Sequence, residues 1–144
     1  AVYRSGKIKA SVVELDEFEL RGVRQVLNFG HTVGHAIERL LDVPHGEAVA
    51  VGMAVEGAMA VEMGYMRESQ LEEMLGLLRQ FDLPTRACLN ADLMEKAERL
   101  VLHDKKRRGD VLLMPMPVGL GKWVLEKVPV DAVKNALRQL RCSA

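Results

Sequence analysis

Two histidines four residues apart, His31 and His35, are the first residues here whose types and spacing point to chemistry. On a helix turning about 100° per residue both imidazoles leave in the same direction, and Arg24 and Asn28 fall with them inside an arc of roughly 60°. A guanidinium, an amide and two imidazoles are an unusual set for a solvated face, which is ordinarily Glu and Lys. Gly30 and Gly34 stand among them. Each costs up to ~1 kcal/mol relative to Ala inside a helix, so close approach by another backbone or a ligand is expected. The apolar residues Val23, Val26, Leu27, Ile37, Leu40 and Leu41 centre on the opposite side. On this pattern alone the stripe is either an ordinary solvated face or a binding site.

A third imidazole, His45, follows Asp42-Val43-Pro44 and opens the next apolar segment. Antiparallel packing of the two segments would return it toward the stripe. The i,i+4 histidine pair has the spacing of helical zinc sites, and Glu47 beside His45 is placed to orient a ligating imidazole. His-x3-His is a weak motif, so metal ligation and plain surface or core histidines both stay open. Lys9 and the run Lys105-Lys106-Arg107-Arg108 are the remaining cationic candidates, as a solvated loop or as a clamp on phosphate or carboxylate. Asp104 before the run makes it unlike a nucleic-acid tail. Cys88 and Cys142 are too few for a disulfide framework or a four-cysteine zinc site, lie far along the chain from the histidines, and are neutral about compartment. The eight Met residues read as core filling.

These residues need a scaffold, and 144 residues at 49% hydrophobic content fit one module with one real core. Twenty Lys and Arg balance twenty Asp and Glu, so no basic field recommends nucleic acid or an anionic membrane as partner. The apolar stretch Ala48 to Met63 is interrupted by Glu56 and Glu62 and is short for a membrane span, and no signal peptide precedes it. A cytoplasmic protein is the default. The start at Ala-Val-Tyr-Arg, without an initiator Met, suggests a piece of a longer polypeptide or a processed chain.

The periodicity predicts a mainly α fold, a helical bundle with a small β-hairpin near the C-terminus. Helices are expected over Lys7–Phe18, Val23–Leu41 and Gly46–Met63, the last buried on nearly every side and capped by Gly64. Further helices are expected over Ser69–Phe81, from Asn90 as N-cap, and over Asp131–Arg141. After a basic turn, Asp104–Gly109, the runs Val111–Met116 and Lys122–Lys127 form the hairpin.

The segment Leu27-Asn-Phe-Gly-His-Thr-Val-Gly-His-Ala-Ile-Glu38, followed by His45-Gly-Glu-Ala-Val-Ala-Val-Gly-Met53, resembles the C-terminal domain of 3-dehydroquinate synthases. The likeness extends upstream through Lys9-Ala-Ser-Val-Val-Glu14 and Asp16-Glu17 to Arg24, and downstream through Asp104-Lys-Lys into the hairpin, covering nearly the whole chain. It implies that residues 1–144 are a single helical metal- and substrate-binding domain, with an N-terminal NAD-binding α/β domain absent from this chain. It implies zinc, or cobalt in its place, on His31 and His45, with a glutamate of the absent domain as third ligand and His35 not a ligand. His35, Asn28 and Lys9 would then be catalytic, Arg24 with Lys105 or Lys106 would bind substrate, and Glu47 would support a ligand. The implied reaction is a phosphate-eliminating cyclisation, a carbon–oxygen lyase step of aromatic amino acid biosynthesis acting on a small sugar acid phosphate. The implied assembly is a homodimer of two-domain chains, the isolated domain being inactive. A related sugar phosphate cyclase making an inosose or a valiolone, and a non-catalytic helical interaction domain, are the competing readings.

Overall fold

The structure is a computed structural model that describes residues 2–15, 23–104 and 107–142. It is mainly α with one small antiparallel sheet. Helix α1 spans Val2–Leu15, and a 3₁₀ segment covers Val23–Asn28. Then come α2 (His31–Leu41), α3 (His45–Glu62), α4 (Glu68–Gln80) and α5 (Ala91–Leu102). Strands β1 (Arg107–Arg108), β2 (Val111–Pro117) and β3 (Trp123–Pro129) precede α6 (Val130–Leu137) and a closing 3₁₀ turn, Arg138–Leu140.

Helix α3 is the centre of the molecule. Its residues are apolar or small around most of the circumference, and Ala48, Val51, Val55, Met59 and Ala60 are all buried, as expected of a helix without a polar face. Gly64, at φ 81°, ends it in the left-handed conformation that suits glycine. Amphipathic α5 begins where Asn90 accepts the Leu93 N–H at 2.8 Å, the cap expected from sequence, and α4 begins where the Gln70 side chain accepts the Arg67 N–H at 3.0 Å. Leu112, Met114 and Met116 of β2 close the core against Val128, Val133 and Leu137.

One expectation is corrected and two are extended. The helix expected to run unbroken from Val23 to Leu41 is a 3₁₀ segment and an α-helix divided at Phe29-Gly30. Gly30 has φ 82°, and a Cβ there would lie 2.6 Å from Met53 Cγ and 2.8 Å from the Val49 carbonyl oxygen, so packing on α3 turns the chain at that point. The expected hairpin is a three-stranded sheet, order β1-β2-β3, because Arg107 and Arg108 of the basic turn pair with Leu112 and Val111. Gly109 at φ 62° makes the reversal. Finally, Cys88 and Cys142 form a disulfide with Cα atoms 4.9 Å apart. A parallel bridge between Leu89 and Arg141 aligns the two segments that carry it.

Helices α2 and α3 pack antiparallel and unusually closely. A Cβ on Gly34 would lie 3.1 Å from Val49 Cα, while one on Gly52 would overlap the Gly30 carbonyl oxygen and lie 2.7 Å from the Gly34 nitrogen. The glycines that stand among the polar residues of the stripe are therefore accounted for by a neighbouring backbone.

Candidate functional site

That contact decides where the imidazoles meet. His31 is the first residue of α2 and His45 the first of α3. Their ring centroids are 5.5 Å apart, with His35 5.4 Å from His31 and 6.4 Å from His45. Three imidazoles thus gather at one place, although the continuous helical stripe expected to join them to Arg24 and Asn28 is interrupted at Gly30.

The nitrogen environments are specific. His31 Nδ1 lies 3.2 Å from the Phe29 carbonyl oxygen, and His45 Nδ1 lies 3.0 Å from Glu38 Oε2. Both oxygens are acceptors, so each neutral ring donates from Nδ1 and carries its lone pair on Nε2. This is the arrangement in which an imidazole is oriented by one nitrogen and ligates a cation with the other. The donor chemistry therefore fits zinc or cobalt, with His31 and His45 as the oriented pair. Among the described residues no group of three or more His, Cys, Asp or Glu gathers as a metal cage.

The carboxylate beside His45 is Glu38, not the expected Glu47. Glu47 is exposed and lines a separate concavity with Leu41, Val43, Pro84 and Arg86. Proximity in sequence suggested Glu47. Helical periodicity would have found Glu38, seven residues after His31 and three after His35, on the same arc.

Asn28 ends the 3₁₀ segment with its Nδ2 donating to Gln25 Oε1 at 3.0 Å. Arg24 lies in that segment and Lys9 in α1, but their side chains, like Lys105 and Lys106 altogether, lie outside the described residues. On the other side His35 faces a concavity of about 300 Å³ shared with Thr32, Arg39, His103 and Asp104.

The same fold occurs in solved inosose and valiolone synthases. A 2-deoxy-scyllo-inosose synthase complexed with carbaglucose-6-phosphate, NAD+ and Co2+ superposes with a TM-score of 0.66 at 28% identity, over 81% of this chain and 34% of that one. The 2-epi-5-epi-valiolone synthase of Streptomyces hygroscopicus, with NAD+ and Zn2+ bound, gives 0.68 at 25% identity over 89% of this chain and 36% of that one. Residues 1–107 match the family described as 3-dehydroquinate synthase C-terminal, and the chain belongs to that family. The 3-dehydroquinate synthase of Pyrobaculum aerophilum is 53% identical over 137 residues, covering 95% of this chain and 40% of that protein. That of Sulfurisphaera tokodaii is 44% identical over 142 residues, again 40% of its length. The chain spans about 40% of the length of these curated relatives.

Proposed function

We propose that this chain is the metal- and substrate-holding part of a 3-dehydroquinate synthase, which converts 3-deoxy-arabino-heptulosonate 7-phosphate to 3-dehydroquinate and inorganic phosphate. The observation that carries the reading is the pair His31 and His45, brought together from two helices with each Nδ1 within hydrogen-bond distance of an oxygen. Two imidazoles are one ligand short of a three-ligand catalytic zinc site. A glutamate of an N-terminal domain supplies the third, and that domain also binds NAD. The bound groups supply polarisation of the substrate hydroxyl oxygens by zinc, or cobalt in its place, and reversible hydride uptake by NAD.

The residues of this chain hold the substrate around that centre. Arg24 takes the carboxylate through two parallel hydrogen bonds, a geometry suited to a guanidinium. His35 and Asn28 bracket the reacting carbons, with the imidazole able to pass a proton as the phosphate departs. Lys9 and one of Lys105 and Lys106 add positive charge for the two anionic ends of the substrate. The identity to curated 3-dehydroquinate synthases, 53% against 25–28% to the inosose and valiolone synthases, supports a carboxylate-bearing substrate.

The test uses the two-domain enzyme containing this module. Specificity constants are measured for the heptulosonate, for glucose 6-phosphate and for sedoheptulose 7-phosphate. A strong preference for the first is expected, and preference for either neutral sugar would overturn the reading. Arg24→Lys should lose roughly tenfold to a hundredfold in specificity constant, because an ammonium keeps the charge but not the fork.

A further inference from the structure

A smaller concavity, about 220 Å³, lies where the end of α2 and the start of α3 meet the segment leading into α5, and the reaction above does not use it. Its lining is aliphatic. Ile37 and Val51 are buried in the core, and Leu41, Val43 and Pro84 are half-buried around them. Among the described residues no aromatic ring, hydroxyl or amide side chain lines it, and its two charged groups are of opposite sign, Glu47 from the first turn of α3 and Arg86 from the segment before α5. Both are exposed, and among the described residues neither side chain has a hydrogen bond or an ion pair. Glu47 is not drawn into the histidine cluster, where Glu38 takes the place beside His45.

We infer that this concavity binds a free α-amino acid with an apolar side chain, its carboxylate on Arg86, its ammonium on Glu47 and its side chain against Ile37 and Val51. Sites for drug-sized ligands measure roughly 300–1,000 Å³, so the space here excludes a nucleotide or a sugar phosphate and admits a group of a few carbons. The aliphatic lining rewards apolar surface and would strand the hydroxyls of a sugar without partners. A lone anion would meet the charge of Glu47 and a lone cation that of Arg86, whereas a zwitterion satisfies both. The guanidinium fork matches the two oxygens of a carboxylate, and the Glu47 carboxylate accepts from an ammonium. Leu41 and Val43 flank Asp42, whose φ of 50° makes the turn that leads into α3. The ligand therefore rests against the turn that delivers His45. The inference goes beyond the function proposed above and does not rest on it.

The experiment titrates L-leucine, and separately L-phenylalanine, into the protein while the methyl resonances of Ile37, Leu41, Val43 and Val51 are followed by NMR. At least one of the two should shift them, and glycine, which lacks a side chain, should not. Isocaproate, which is leucine without its ammonium, and isoamylamine, which is leucine without its carboxylate, should each bind about threefold to tenfold more weakly than leucine, the modest scale expected of charges on an exposed rim. Arg86→Gln should weaken leucine by a similar factor and leave isoamylamine unchanged, and Glu47→Gln should weaken leucine and leave isocaproate unchanged, because each variant removes a partner that the truncated ligand already lacks. Arg79→Gln, on α4 and outside the lining, should bind leucine as the wild type does. Unmoved methyl resonances with both amino acids at about 10 mM would overturn the site. Equal affinity for leucine and its two truncated forms would overturn it by showing an apolar cavity only, and an equal loss in Arg79→Gln by showing diffuse charge attraction. No metal takes part, so failure of the zinc assignment leaves this result untouched, and failure here leaves zinc binding intact.

Discussion

His45 shows how much of a site can hang on one neighbouring side chain. Its Nδ1 faces Glu38 Oε2 at 3.0 Å, and both side chains are well exposed, so solvent screens the pair and its value lies in ring orientation rather than in stability. Glu38→Ala should weaken zinc binding by about tenfold to a hundredfold in a chelator-competition titration. Glu38→Gln, whose amide oxygen still accepts, should lose less, and Glu47→Ala should bind as the wild type does. The reverse ranking would restore Glu47 to the role its sequence position suggests. His45→Ala should abolish the titratable site, and acidification should weaken wild-type binding because only neutral imidazoles ligate. The histidines themselves were legible in the sequence. Their supporting carboxylate was passed over because adjacency, not helical register, guided the choice.

The elements were legible wherever the signal is local. Asn90 and Gly64 delimit α5 and α3 where capping chemistry places them, and Met59 of α3 and Met114 and Met116 of β2 are buried in the core while Met53 is half-buried. The break at Gly30 was not legible, because the apolar spacing from Val23 to Leu41 continues across it and its cause, the wall of α3, lies about twenty residues away. The same wall makes Gly52 the most constrained residue of the helix pair. Gly52→Ala should destabilise the protein by about 3 kcal/mol or more, since the added carbon meets backbone that cannot rotate aside. Gly76 in α4 has open space around it, and Gly76→Ala should stabilise by about 0.5–1 kcal/mol. Urea denaturation midpoints check both. Opposite signs are expected, and a mild effect at Gly52 would mean that the helices can separate. In that event zinc affinity should fall with stability, because His31 and His45 are brought together by the close packing of α2 on α3.

Across the whole molecule, the Cys88–Cys142 disulfide joins residues separated by 54 positions. No sequence pattern announces such a pair, since its geometry exists only after α5, the sheet and α6 have returned the chain to its starting point beside Leu89. A loop of that length corresponds to about 4 kcal/mol in the chain-entropy account of cross-links. Reduction, or Cys142→Ser, should therefore lower thermal stability substantially while leaving the histidine cluster, which lies outside the loop, with unchanged zinc affinity below the melting transition. Calorimetry in the presence and absence of reductant checks the first part, and unchanged melting would show that the unfolded chain gains no freedom when the bridge opens.

The bridge has one more consequence, which concerns mechanical load. A force applied between Val2 and Cys142 passes at residue 142 directly through sulfur to residue 88, so α5, all three strands and α6 carry no tension at all. In a pulling experiment the oxidised protein should yield only its first helices and stop short of the reduced one by roughly 180–190 Å of contour, the span of the 54 sheltered positions at full extension. The part of the molecule that would unravel first is the part that holds His31, His35 and His45.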